Sequence, residues 1–131
     1  MSIRKRVNAV NWIGSDYQLL KQAVNHAVLN QKVISHNLSN IDTPNFKAKQ
    51  ALFEQTLQSE MRLKLQGGRP SDSTQSTVID RAGGAMRSDG NNVDLDYEMS
   101  ELARNQLQYE AMMEQLNRRL GGLKSVIRGG R

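Results

Sequence analysis

Ile34-Ser35-His36-Asn37-Leu38-Ser39-Asn40-Ile41-Asp42-Thr43-Pro44-Asn45-Phe46-Lys47 reads as a long helix breaking into a fixed turn. Asn37, Ser39 and Asn40 have short polar side chains that compete with the backbone for hydrogen bonds and weaken a last helical turn. Pro44 pushes Thr43 out of the α region, so the helix stops by about Asp42.

Backwards from this turn, Ile41, Leu38, Ile34, Ala27, Val24, Leu20, Tyr17 and Ile13 are spaced by alternating threes and fours, interrupted by Gln31. Such spacing is a heptad seam. Ser15 with Gln18 fits a capping box and Asp16 suits the positive end of the helix dipole, so the helix is expected from near Ser15 to about Asn40. Residues 1–14 are expected to be weakly ordered, or helical only when docked.

Forwards, Leu52, Phe53, Leu57, Met61 and Leu65 have helical spacing and predict a short helix within 47–65. Residues 67–77 form a loop, Thr77-Val78-Ile79 is a candidate short strand, and Gly83-Gly84 and Asp89-Gly90-Asn91-Asn92 are turns. A second seam follows at Leu95, Met99, Leu102, Gln106, Tyr109, Met113, Leu116, Leu120, Leu123 and Ile127. Asp94, Asp96, Glu98 and Glu101 crowd its amino end, and Arg118, Arg119, Lys124 and Arg128 its carboxyl end, which matches a helix dipole. Gly121-Gly122 interrupts the pattern, so the last turns are expected to become helical mainly when packed against neighbours.

The expected fold is mainly α: long amino- and carboxyl-terminal heptad helices packing as a coiled coil, with an irregular middle that is partly disordered or short-strand. Three regions follow: 1–47, an axial helix and its turn; 48–92, a variable middle segment; and 93–131, a second axial helix. Val28, Leu29 and Val33 on the first helix, and Leu107 and Met112 on the second, lie beside the main stripes. Such widened apolar faces favour more than one neighbouring helix, and therefore assembly.

The chain has 131 residues, 37% hydrophobic but only 5% aromatic, which suits an elongated helical shape better than a thick globular core. Its net charge of +5 raises nucleic acid or anionic membrane as partners. The distribution argues against both: the basic excess is largely terminal, while residues 89–114 hold seven acids against the single Arg104. Aromatic interleaving is absent from the basic ends, so no specific nucleic-acid partner is expected. No cysteine is present, which removes disulfides, thiolate metal sites and a cysteine nucleophile. Asn8, Asn11 and Gly14 interrupt any cleavable secretory core, and no window has the length of a membrane-spanning helix.

His26 and His36, ten residues apart, have neither metal-ligand spacing nor a catalytic-type partner, and are expected at the surface or an interface. Asp89-Gly90-Asn91-Asn92-Val93-Asp94 has a calcium loop's flavour, but glycine is second rather than sixth and Ser100 stands at the twelfth position. A turn entering a capped helix explains it better. The carboxylates around Asp94 need no acid/base role beyond matching the dipole. No catalytic, cofactor-binding or metal-ligating residue is assigned, no cofactor is expected, and the chain is read as non-enzymatic.

Asn37 through Lys47 resembles the amino-terminal signature of the bacterial flagellar rod and hook axial proteins, in which an asparagine-rich helix end runs into Thr-Pro-Gly-Tyr-Lys or a close variant. Asp89-Gly90-Asn91-Asn92-Val93-Asp94-Leu95-Asp96-Tyr97-Glu98-Met99 is similar to the segment opening the carboxyl-terminal helix of a proximal-rod member. The resemblance covers roughly residues 16–50 and 89–129. Asn45 stands in place of the usual glycine and Phe46 in place of tyrosine. Asparagine tolerates a left-handed backbone best after glycine, so a positive φ or an equivalent tight turn is expected at Asn45, with Phe46 anchoring the redirected chain.

The resemblance implies a structural subunit of the proximal rod of the flagellar basal body, part of the motor drive shaft. It implies further copies of itself and other rod and basal-body proteins as partners, and export through the flagellar type III apparatus without a cleaved signal. The assembly seam is then Tyr17, Leu20, Val24, Ala27, Ile34, Leu38, Ile41, Leu95, Met99, Leu102, Tyr109, Met113, Leu116, Leu120, Leu123 and Ile127. The turn motif is Asn37, Asn40, Asp42, Thr43, Pro44, Asn45 and Phe46. The alternatives are another short rod subunit, a soluble coiled-coil adaptor, or a basic nucleic-acid-binding module.

Overall fold

A computed structural model describes residues 3–53, 62, 65–67, 76–84 and 86–129. Helix α1 spans Ile3–Ser39, strands β1 and β2 span Lys49–Leu52 and Thr77–Asp80, and helix α2 spans Leu95–Arg128. At 1.5 Å per residue the two helices are about 55 and about 50 Å long. Asn37 of α1 lies opposite Glu98 of α2, and Asn30, one heptad earlier, opposite Asn105, one heptad later. The helices therefore run antiparallel in a heptad-for-heptad register. β1 and β2 pair antiparallel, from Lys49 opposite Asp80 to Leu52 opposite Thr77.

The mainly helical fold is as expected, and two local expectations are corrected. First, α1 starts at Ile3 rather than near Ser15. The capping preference of Ser15 does not stop a helix whose preceding residues are themselves compatible with it, and serine and glycine inside a helix each cost no more than about 1 kcal/mol. Secondly, the helix expected within 47–65 does not begin there, because Lys49–Leu52 is a strand. Leu52 and Phe53 fit a helical pattern, but a partner strand distant in sequence satisfies β1's backbone. Residues 54–61 lie outside the described residues, and Arg62 and Leu65 are helical. At the other end of the molecule, α2 runs through Gly121-Gly122 to Arg128.

The start of α2 follows its sequence signal. Asp94 is extended (φ −110°, ψ 119°) and its Oδ1 accepts from Asp96 N–H at 2.9 Å and Tyr97 N–H at 3.2 Å. That satisfies two donors that every helix start leaves open. The apolar core is thin: among the described residues it consists of Ala27, Val33, Ile34, Ala48 and Val93, beside an equal number of buried polar side chains, Asn37, Asn91, Asn92, Glu98 and Asn105. What positions the elements is therefore a polar network as much as apolar contact.

Candidate functional site

The turn after α1 and the segment leading into α2 meet in one junction. Asn40, Ile41 and Thr43 donate back to the carbonyls of Asn37, Leu38 and Asn40 in tight three-residue steps that end the helix. The carbonyls of Asn40 and Thr43, which accept from the N–H groups of Thr43 and Phe46, each keep a second lone pair, and together with the Ile41 carbonyl they face further donors. Asn91, which is 0% exposed, supplies them: its Nδ2 donates to the three carbonyls at 2.9, 3.0 and 2.9 Å. Its Oδ1 accepts from Val93 N–H at 2.7 Å, so one carboxamide caps the first helix and holds the lead-in to the second.

Asn45 sits at φ 59°, the only non-glycine residue with positive φ among those described, as expected for a residue in glycine's place. Its N–H donates to the Asp89 carbonyl at 2.9 Å, and Phe46 N–H donates to the Thr43 carbonyl at 3.3 Å. Asn45 packs so closely on Gly90 that a Cβ there would stand 2.5 Å from Asn45 Oδ1. Gly90, at φ 79°, is favoured by its backbone conformation, and a larger residue there would also have to turn the Asn45 amide aside. Lys47 Nζ closes the junction by donating to the Gly90 carbonyl at 2.7 Å. The rings of Phe46 and His36 meet in a T-shaped contact, 5.5 Å between centroids. Asp42, Thr43 and Pro44 are exposed and shape the turn from outside.

Below the turn the network continues into the seam. Asn37 Nδ2 donates to the Lys49 carbonyl at 2.8 Å while its Oδ1 accepts from Lys49 N–H at 2.8 Å, so the carboxamide serves β1 as a neighbouring strand's peptide would. The same Nδ2 donates to Glu98 Oε1 at 3.1 Å. Arg81, just after β2, donates to that oxygen through Nη1 at 2.9 Å and lays its guanidinium 4.4 Å from the centroid of the Tyr97 ring. A heptad along, Asn30 Nδ2 donates to Asn105 Oδ1 at 3.3 Å, and Asn105 Nδ2 donates to the Ala27 carbonyl at 2.9 Å. Ala48 N–H donates to Asn92 Oδ1 at 2.7 Å. No buried side-chain nitrogen or oxygen among the described residues lacks a hydrogen-bond partner.

The stripes read from the sequence land unevenly. On α1, Ala27 and Ile34 are buried and Tyr17, Leu20, Val24, Leu38 and Ile41 half-buried. On α2, Leu102, Tyr109, Met113 and Leu116 are half-buried, but Leu95 (52%), Met99 (51%), Leu120, Leu123 and Ile127 (81%) stay exposed, so they are not part of the in-chain seam. The seam that α1 does cover runs through Glu98, Leu102, Asn105, Tyr109, Met112 and Leu116. It shares Leu102, Tyr109 and Leu116 with the apolar stripe, has Glu98 and Asn105 where the stripe has Met99 and Gln106, and takes in Met112 beside the half-buried Met113. An apolar count passes over Glu98 and Asn105; their signal was the heptad spacing they share with Asn30 and Asn37.

His26, expected at a surface or interface, is half-buried: its ring stacks on Phe53 at 4.7 Å and its Nδ1 lies 2.9 Å from Ser76 Oγ. Burial lowers its pKa below the ordinary value of 6.5. Asp89, which opens the segment with a calcium-loop flavour, spends its carboxylate on Asn91 N–H (3.1 Å) and Arg87 Nη2 (3.2 Å). No helix among the described residues is long and apolar enough to cross a membrane.

No family model matches the chain. Individual proteins do. It is 39% identical over 122 residues to the flagellar basal body rod protein FlgB of Bacillus subtilis, covering 87% of this chain and 94% of that protein. Identity to FlgB of Aeromonas hydrophila is 32% over 111 residues, 75% of this chain and 81% of the relative. For FlgB of Borreliella burgdorferi it is 36% over 101 residues, 64% of this chain and 74% of the relative.

Proposed function

The chain belongs to the FlgB family of flagellar basal body rod proteins, and from that premise we propose that it is a non-catalytic subunit of the proximal rod whose junction of turn and helix start sets the geometry of assembly. A structural rod subunit needs rigid helices presented at a fixed angle, with apolar surface left for its neighbours. Head-to-tail contacts that do not close into a ring extend such subunits into a tube.

The observation that carries this reading is the docking of two segments far apart in sequence, Asn40–Phe46 and Asp89–Val93, through Asn91, Asn45 and Gly90. Within it the residues have separate tasks. Asn37, Asn40, Asp42, Thr43, Pro44, Asn45 and Phe46 set the exit angle of the chain from α1. The half-buried positions Leu102, Tyr109, Met113 and Leu116 hold α2 on α1, while Leu95, Met99, Leu120, Leu123 and Ile127 remain for contacts with other copies and with other rod and basal-body proteins. Regions 1–47 and 93–131 are the axial parts and 48–92 the outward-facing segment. The subunit leaves the cytoplasm through the flagellar type III export apparatus without a cleaved signal.

Motility and basal-body isolation test this in a strain carrying Leu102→Asp or Leu116→Asp. A carboxylate placed in the packed seam costs several kcal/mol per subunit for want of a partner. Rods are expected to be lost in both strains, and normal motility in either would remove the seam assignment.

A further inference from the structure

We propose that Arg81 makes the pairing of α1 with α2 conditional on the docking of β2, by neutralising the buried carboxylate of Glu98. Glu98 is 1% exposed and stands inside the helix seam, where its Oε1 accepts from Asn37 of α1 at 3.1 Å and from Arg81 at 2.9 Å. Asn37 brings a hydrogen bond without charge, and Arg81 brings the cation. A buried carboxylate deprived of its cation is strongly unfavourable, far more so than a neutral side chain of the same shape. Closing α1 on α2 with β2 undocked therefore buries an uncompensated charge.

Arg81 reaches Glu98 because its backbone is fixed to the strands. Its N–H donates to the Ala48 carbonyl at 2.7 Å, one step beyond the Lys49–Asp80 pair that ends the ladder. β1 in turn is held to α1 by the Asn37 carboxamide on both polar groups of Lys49. Each of the three contacts completes the surroundings of the next, so helix pairing and strand docking form one cooperative unit. A subunit is closed with β1 and β2 docked, or open with helices and strands released. This device does not depend on what the exposed faces bind.

Paired spin labels on the full-length chain test it. Lys32→Cys and Ala103→Cys are suitable sites, since both positions are exposed and the chain has no cysteine of its own. The folded-to-unfolded ratio is read in parallel by chemical denaturation. In Arg81→Met the interhelical distance is expected to lengthen and broaden, and the ratio to fall on the order of a hundredfold or more. In Arg81→Met/Glu98→Gln, which removes the charge but keeps an acceptor for Asn37, the native distance is expected to return, with all but about tenfold of the ratio recovered. That recovery separates charge balance from the lost contact with Tyr97, which Glu98→Gln cannot replace. A native distance in Arg81→Met overturns the proposal, and so does a double variant that stays open. If Arg81→Met does not fold at all, the double variant decides alone: its closure supports the gate and its failure to close overturns it.

Discussion

At Asn45 a single backbone torsion redirects the chain. Asn45→Gly should be tolerated in rod assembly and motility, because glycine adopts φ 59° without strain, whereas Asn45→Val should impair both, since a β-branched residue is strained there. Equal tolerance of the two would mean that the turn is not constrained. Gly90→Ala belongs to the same site and should cost about 1 kcal/mol in chemical denaturation, from its positive φ. His26 predicts a pH dependence. Its folded-state pKa lies below 6.5, so the unfolded chain binds more protons in the window between the two values. Stability should be complete above pH 6.5, fall as the pH drops through that window, and level off below the folded-state pKa. A denaturation series across this range should lose the slope in His26→Gln. These positions differed in how far the sequence announced them. Asn45 was legible from its place after Thr43-Pro44, in the position of the family's glycine; the surroundings of His26 were not, because Phe53 and Ser76 reach it only in the folded chain.

Along the helices, the two polar layers should behave differently. Glu98→Leu strands Arg81 and one N–H of the Asn37 carboxamide and should cost about 3 kcal/mol or more. Asn105→Leu releases only a helix carbonyl and the half-buried Asn30 amide, and should cost less than about 1 kcal/mol. Urea denaturation of the two variants checks the order, and a costlier Asn105→Leu would mean that the register depends on the lower layer. Both long helices were legible because apolar residues recur at threes and fours over many turns. The sequence pattern did not reveal which positions α1 covers. Periodicity marks a stripe, while the facing partner selects the part of it, and here that partner selects Glu98 and Asn105 through hydrogen bonds. β1 was illegible for a related reason: Leu52 and Phe53 suit helix or strand, and only pairing with Thr77–Asp80 decides between them.

The whole molecule exposes 9863 Å², against about 6,900 Å² for a compact monomer of 14.7 kDa. A surface of that size, with Leu120, Leu123, Val126 and Ile127 open on the last turns of α2, means that part of the apolar surface is left without cover in the single chain. Amide exchange on the free subunit should accordingly show weak protection over residues 117–128, rising in assembled rods, since helix stability in water comes mainly from packing. Strong protection of those residues in the free chain would contradict this. Gly121→Ala and Gly122→Ala should raise protection in the free subunit, because a Cβ at either position meets nothing within 4 Å and each glycine costs a helix about 1 kcal/mol. By itself the sequence determined the mainly helical class, the stop at Thr43-Pro44, the cap at Asp94 and the two segments that carry the family likeness, all of which rest on local propensity and short-range spacing. Only the tertiary structure decided that these segments dock on each other, that α1 and α2 run antiparallel in one register, and that Asn91, Arg81 and Glu98 join them. Those outcomes depend on pairing hydrogen-bond donors with acceptors up to 78 residues apart in the chain, and the balance of desolvation against partnership that selects them leaves no periodic trace in the sequence.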